Sequence, residues 1–328
     1  MMKIRNCVAP VGLSLAALGT GLALKSFLPQ RFDTASWFEP HTSMSLDTAS
    51  LPSIEITFLR CGSVSIPELL AVRGAASFAP RLIVHSAVLI RHPRATFLYD
   101  TGLCSDIHAY LSGRSFFFRQ TLARFTLEQS ISSHLRHHGL TPAQLDFVLL
   151  SHLHWDHVSG VPDLPGVTLR INRVEYEAAR NGLFEQEKGL VRELLDNNPV
   201  ELFDCAGPTY ESFRSSHDLL GDGSLMLLPL PGHTAGHTGL LINRANGPRV
   251  FLLGDAAWVA PNYQRPATMH PFLWSRVTTD DATARQTLIQ VHQFSLLHPE
   301  IALIAMHDGW QQELFEHAER TGKVHKLQ

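Results

Sequence analysis

Polar and apolar positions alternate through residues 53–60, which predicts a half-buried strand. Residues 83–91 and 96–100 read as a hairpin pair around His92, Pro93 and Arg94, and Asp100-Thr101-Gly102 ends the second strand in a tight turn. The period changes at 127–138, where Leu127, Ile131 and Leu135 recur at helical spacing and Gly139 marks a stop. Thr141 and Pro142 open a short second helix ahead of the apolar strand 147–150. Further strands are expected at 167–171, 224–230, 238–243, 249–254 and 301–306, with helices at 173–180 and 281–297. No internal repeat of fixed period is visible. Residues 257–279 follow neither period and read as one long, aromatic, proline-rich loop, and loops of that length are usually functional or disordered.

Composition narrows the class. The 328 residues are 45% hydrophobic and 17% charged, enough to bury one large core or two smaller ones. With 27 Lys+Arg against 30 Asp+Glu and no basic block, the chain lacks what a sequence-independent nucleic-acid binder needs, so no nucleic-acid partner is expected. Disorder, collagen and coiled coil are excluded by the same patterning.

Residues 7–24 carry no charge and are flanked by Lys3, Arg5 and Lys25. Such a run lies between a short spanning helix and the apolar part of a secretory signal. Residues 1–30 are therefore expected to be a signal peptide or membrane anchor, residues 31–52 a linker, and residues 53–328 the working domain. That makes the protein exported, periplasmic or membrane-anchored in expectation, with membrane attachment through residues 7–24. In an oxidising compartment Cys61, Cys104 and Cys205 supply at most one disulfide and an odd thiol. No CxxC pair exists, so cysteine-based zinc binding is not expected.

The chemistry lies in the 19 histidines. Ser151-His152-Leu153-His154-Trp155-Asp156-His157 follows directly on the strand 147–150. In an extended segment residues two apart face the same way, so His152 and His154 can reach one ion. If the chain then turns into a helix, Asp156 and His157 swing towards a second. Three further elements follow apolar strands: His233 in a Pro-Gly-His-Thr-Ala-Gly-His run ending at His237, Asp255 after Gly254, and His307 before Asp308 and Gly309. The competing reading, a polar loop that is merely histidine-rich, does not account for these repeated placements at strand ends.

This ordered set resembles the metallo-β-lactamase superfamily over about residues 53–310, including the turn at Asp100-Thr101-Gly102. The resemblance implies an α+β fold, a four-layer αββα sandwich with a dinuclear site at one edge. By motif position it assigns His152, His154 and His233 to a first metal, Asp156, His157 and His307 to a second, and Asp255 as the bridge. Two zinc ions per chain are the default for imidazole-rich donors, with iron or manganese suited to the same site. The implied chemistry is attack by a metal-bridging hydroxide on a carbonyl or phosphoryl centre, with Asp156 and Asp255 orienting it and relaying its proton. Asp100 and His237 are expected to support the ligands without binding metal themselves.

For the substrate, a small molecule, the layout looks most like the N-acyl homoserine lactone lactonases. About a hundred residues separate the linker from His152, whereas glyoxalase II, which shares the run around His233, carries its motif nearer the N-terminus. True β-lactamases of the superfamily usually lack the bridging aspartate. A lactone or carboxylic ester with an apolar acyl or aromatic group is therefore expected. A glyoxalase II-like thioesterase or phosphodiesterase is the alternative, and a di-iron oxygen-reducing protein the non-hydrolase one. Trp155 and Trp258 are expected nearest the metals on the pocket wall, between the segments 104–125 and 257–279. Lactonases often place Tyr three residues after the bridging Asp; this chain has Trp258 there, and Tyr263 is the candidate substitute.

Overall fold

The computed structural model describes residues 25–32 and 50–322. The expected leader up to residue 24 and the linker through 33–49 lie outside these residues. No helix among the described residues is long and apolar enough to cross a membrane.

Two sheets form the centre. The first contains β1 (Glu55–Pro67), β2 (Pro80–His92), β3 (Ala95–Tyr99), β4 (Thr126–Leu127), β5 (Phe147–Leu149), β6 (Leu169–Asn172) and β7 (Val200–Phe203). Their order is β4-β1-β2-β3-β5-β6-β7. The second contains β8 (His217–Asp218), β9 (Leu225–Pro229), β10 (Thr238–Ile242), β11 (Val250–Leu252) and β12 (Ala302–Ile304), in the order β12-β11-β10-β9-β8.

Strand periodicity explains the layers. On β2, Val88 and Ile90 enter the core between the sheets with Leu225, Leu227, Leu240 and Ile304. Their neighbours Ala87 and Leu89 face the other way, into a core shared with Ile107, Ile131 and Leu194 from helices. On β12, Leu303 joins Leu288, Val291 and Phe294 of the helix Asp281–Leu297 on the far side of the second sheet. Helix, sheet, sheet and helix therefore stack as the expected αββα sandwich. Strands buried on both faces read as continuous apolar runs, which is why 147–150 and 301–306 stood out without alternation.

Three expectations need correction. The strand begun at residue 55 runs to Pro67, with a bulge between Arg60 and Gly62, and pairs with β2 and β4. The helix expected over 127–138 covers only Ile131–His137: Leu127 belongs to β4, and the Ser130 side chain accepts the amide of Ser133 to start the helix. Residues 257–279 are not one loop but contain the helices Ala260–Gln264 and Pro271–Val277. Each carries a proline in its first turn, where the missing N–H costs nothing, so a residue type read as a breaker is here a starter.

Candidate active site

The donors gather where strands of both sheets end. Asp100 follows β3, the segment 151–157 follows β5, His233 and His237 lie between β9 and β10, Asp255 follows β11 and His307 follows β12. After two extended histidines the chain enters the short helix Trp155–Val158 with His154 at its N-cap. That turn redirects Asp156 and His157, as their placement in the motif required.

His152, His154, His233 and Asp255 form one group of converging donor atoms, and His157, Asp255 and His307 another. His154 Nδ1 lies 3.0 Å from His152 Nε2 and 2.8 Å from His233 Nε2. Asp255 stands between the groups: Oδ2 is 3.2 Å from His233 Nε2, while Oδ1 is 3.1 Å from both His157 Nε2 and His307 Nε2. Asp156 Oδ2 is 3.5 Å from His307 Nε2 and 3.4 Å from His85 Nδ1, so the structure adds His85, of β2, to a third cluster with Asp156 and His307.

This donor set fits metal. Three imidazole nitrogens converging on one point cannot all satisfy one another, because each pair shares at most one proton. His157 Nε2, Asp255 Oδ1 and His85 Nδ1 are buried without a hydrogen-bond partner, although buried polar atoms are normally paired. Burial pushes the imidazoles of His154 and His237 down to about 3, and His152 lies well below its ordinary value for the same reason. Neutral imidazole is the ligating form; burial lowers His157 and His307 too, but Asp255 and the nearby carboxylates raise both, so a cation binding there would displace their protons. Burial opposes charge on Asp255 and Asp156 too, but the nearby histidines outweigh it and hold both carboxyls below the usual range.

A support layer orients these groups. Asp100, at a left-handed φ of 56°, accepts from Ser151 N and Oγ and sits 2.8 Å from His157 Nδ1. His237 Nε2 accepts the amide of Asp255 at 2.8 Å. Gly254, at φ +53°, leaves the room for this contact, since a Cβ there would collide with that imidazole. Glu175 was not anticipated. From the helix Arg173–Arg180 its buried carboxylate accepts the amides of Leu153 and Gly236, both at 2.9 Å. One side chain thus ties the loop bearing His152 and His154 to the loop bearing His233.

A cavity of about 330 Å³ opens onto Asp156, Asp255 and His307. Its walls include Ile66, Leu70, Phe118, Leu122 and Leu273, with Trp155 and Trp258 close to the donors. Both expected rim segments contribute: 104–125 through its helix Phe116–Thr121 and the residues just after it, and 257–279 through the helix Pro271–Val277. The Trp258 indole N–H donates to Asp255 Oδ2 at 2.8 Å. Tyr263 does not reach the cavity and is corrected as a substrate-binding candidate. It is fully buried, its hydroxyl donating to the Leu303 carbonyl and accepting from Gln311 Nε2. A phenol facing the core needs partners for its polar tip, and these two supply them. Cys61, Cys104 and Cys205 are free thiols.

Fold and site together define a metallo-hydrolase built from two sheets, with histidine and aspartate donors collected at one edge. A model of the metallo-beta-lactamase superfamily matches residues 80–285, and the chain belongs to that superfamily. Among curated proteins it is similar to the N-acyl homoserine lactonase AttM of Rhizobium radiobacter, 28% identical over 195 residues, which cover 58% of this chain and 71% of the relative. An N-acyl homoserine lactonase of a Bacillus species is 28% identical over 178 residues, 54% of this chain and 65% of the relative. Solved structures share the fold. A Bacillus thuringiensis AiiA variant with N-decanoyl-L-homoserine bound superposes with a TM-score of 0.61 at 19% identity, covering 80% of this chain and 96% of that one. AidC, a dizinc quorum-quenching lactonase, gives a TM-score of 0.54 at 14% identity, covering 85% and 92%.

Proposed function

We propose that the protein hydrolyses a lactone or carboxylic ester carrying an apolar acyl or aromatic group, using two zinc ions. The observation that carries this reading is the cavity: apolar walls lead to a floor where Asp156, Asp255 and His307 meet. His152, His154 and His233 would hold one ion, and His157, His307 and Asp156 the other, with Asp255 reaching both. Bound there, the metals would polarise the carbonyl and supply hydroxide near neutral pH. The chain's own residues do the rest. The aliphatic and aromatic walls take the non-reacting group and exclude water. Asp156 and Asp255 are held ionised by the surrounding histidines, the form that would hold a cation and orient a hydroxide beside it. The Trp258 N–H holds Asp255 Oδ2, a task an indole performs without exchanging a proton as a phenol would. The lactonase names of the relatives support the lactone as first substrate to try.

The test is a panel of acyl lactones of increasing chain length, aryl esters, a thioester, a phosphodiester and a β-lactam, run beside elemental analysis. About two zinc per chain with a preference for longer acyl lactones is expected. Iron with oxygen uptake, or turnover confined to the thioester or phosphodiester, would overturn the reading. Trp258→Ala should keep its metals, lose about 1–3 kcal/mol in kcat/KM and flatten the chain-length preference. Trp258→Phe should retain that preference while losing the hydrogen bond.

A further inference from the structure

Aromatic side chains collect outside the cavity as well as inside it. Phe116 is 73% exposed, Phe117 49% and Phe272 39%, and the rings of Phe117 and Phe272 stand 6.3 Å apart. They come from two helices, each of which also lines the cavity, so the exposed apolar surface frames its mouth. Single exposed hydrophobic residues are ordinary; a group converging from separate elements on one opening is not.

Cations are laced through this patch. The Arg276 guanidinium lies 4.0 Å from the Phe272 ring centre and 5.3 Å from that of Phe117. Arg124 lines the same cavity, and among the described residues neither arginine has a carboxylate partner. Glu187, the acid packed against the helix Phe116–Thr121, is engaged by the amide and hydroxyl of Ser115. Rings that enter the acyl region beside guanidinium groups that meet phosphates are the composition of a surface seated on a bilayer.

The arm at 25–32 gives the patch its occupant. Phe27 packs its ring 4.5 Å from that of His270, and Ser26 Oγ is 2.8 Å from His270 Nε2. His270 caps the helix that carries Phe272 and Arg276. Arg73 donates to the carbonyls of Leu28 and Lys25, fixing the arm from the other side. Immediately before Lys25 come the uncharged residues 7–24. A chain attached to a membrane through that run would bring the bilayer to the cavity mouth within a few residues.

We infer that the rim formed by Phe116, Phe117, Phe272 and Arg276 docks on the surface of a phospholipid bilayer containing anionic lipid, so that the cavity opens towards the membrane. An amphiphile dissolved in the bilayer then enters without crossing bulk water, a consequence that rests on the proposed hydrolase reading; the docking itself does not.

The experiment uses the full chain incorporated into vesicles of phosphatidylcholine and phosphatidylglycerol. An environment-sensitive fluorophore is attached in Phe116→Cys and, separately, in Leu297→Cys, with the unsubstituted chain as labelling background. Leu297 is exposed and ends the 17-residue helix Asp281–Leu297, whose first residue accepts from Trp274 of the rim helix, so Leu297 stands about 24 Å along the axis from that contact. Lipids spin-labelled near the headgroup should quench the Phe116→Cys label at least threefold more than the Leu297→Cys label. Adding Arg276→Glu should abolish that difference, with metal content unchanged as the check on folding. Equal quenching at both positions, or no effect of Arg276→Glu, overturns the inference. So does burial of the Phe116→Cys label without vesicles in a sample that sediments as a dimer, which would assign the patch to a second copy of the chain. The readout needs no turnover, so its failure is separate from failure of the hydrolase reading.

Discussion

His85, Glu175 and Tyr263 show how differently single residues can be read. His85 lies on β2 among apolar neighbours, 67 positions before His152, with no motif around it. Only the pairing of β2 beside β3 brings it to Asp156. Glu175 sits in a helix rich in charge, where a carboxylate ordinarily faces water, and its burial follows from the approach of Leu153 and Gly236 from separate loops. Gly236 is what permits this closeness, since a Cβ there would strike the backbone of Glu175. The ligand motifs, by contrast, were legible because each stood directly after an apolar strand. Removing the Glu175 clamp by Ala substitution should weaken metal affinity about 10–100-fold, measured by competition with a chelator. Gln keeps one acceptor oxygen and should fall between. His152→Ala or His233→Ala should lose one metal and nearly all hydrolysis, because no spare donor lies in that group; two metals and normal turnover would remove them as ligands. Burial pushes the Cys61 and Cys104 thiols up to about 12, so both stay protonated at pH 8. Neither should react with a thiol reagent there until denaturant exposes it.

At the scale of elements, fully buried strands were the most readable whatever their length: β5, β11 and β12 have three residues each, all buried, and stand in apolar runs. β4, β7 and β8, with two to four residues each, are mostly exposed or half-buried, so no apolar run marks them. The helices inside 257–279 escaped because prolines at their starts resemble the punctuation of a loop. The true start of the helix Ile131–His137 is set by a cap rather than by hydrophobic spacing, since Leu127 continues the apparent pattern backwards into β4. Ser130→Ala should therefore cost about 1 kcal/mol in unfolding free energy, read from denaturant midpoints at unchanged slope. A neutral result would mean the helix is held by Ile131 and Leu135 alone, both fully buried.

For the whole molecule, the donors join the two sheets at one edge, so ions bound there act as a brace between layers. Anything that binds only the folded state stabilises it by mass action, about 4 kcal/mol at a thousandfold excess over Kd. Stripping metal with a chelator should lower Tm by several degrees, and restoring zinc should return it. An unchanged Tm would mean that the apolar core between the sheets carries the stability unaided.

The spread of the donors along the chain also dictates an order of completion. His152 and His307 are 155 positions apart, and β12, which presents His307, pairs in parallel with β11. A nascent chain that has reached only Asp255 already owns every member of the first donor group but not the second. With the proposed ligands, two-metal occupancy would thus wait until β12 has joined the second sheet. The second ion would then report that β12 is in place, and a chain cut short before that strand should bind at most one.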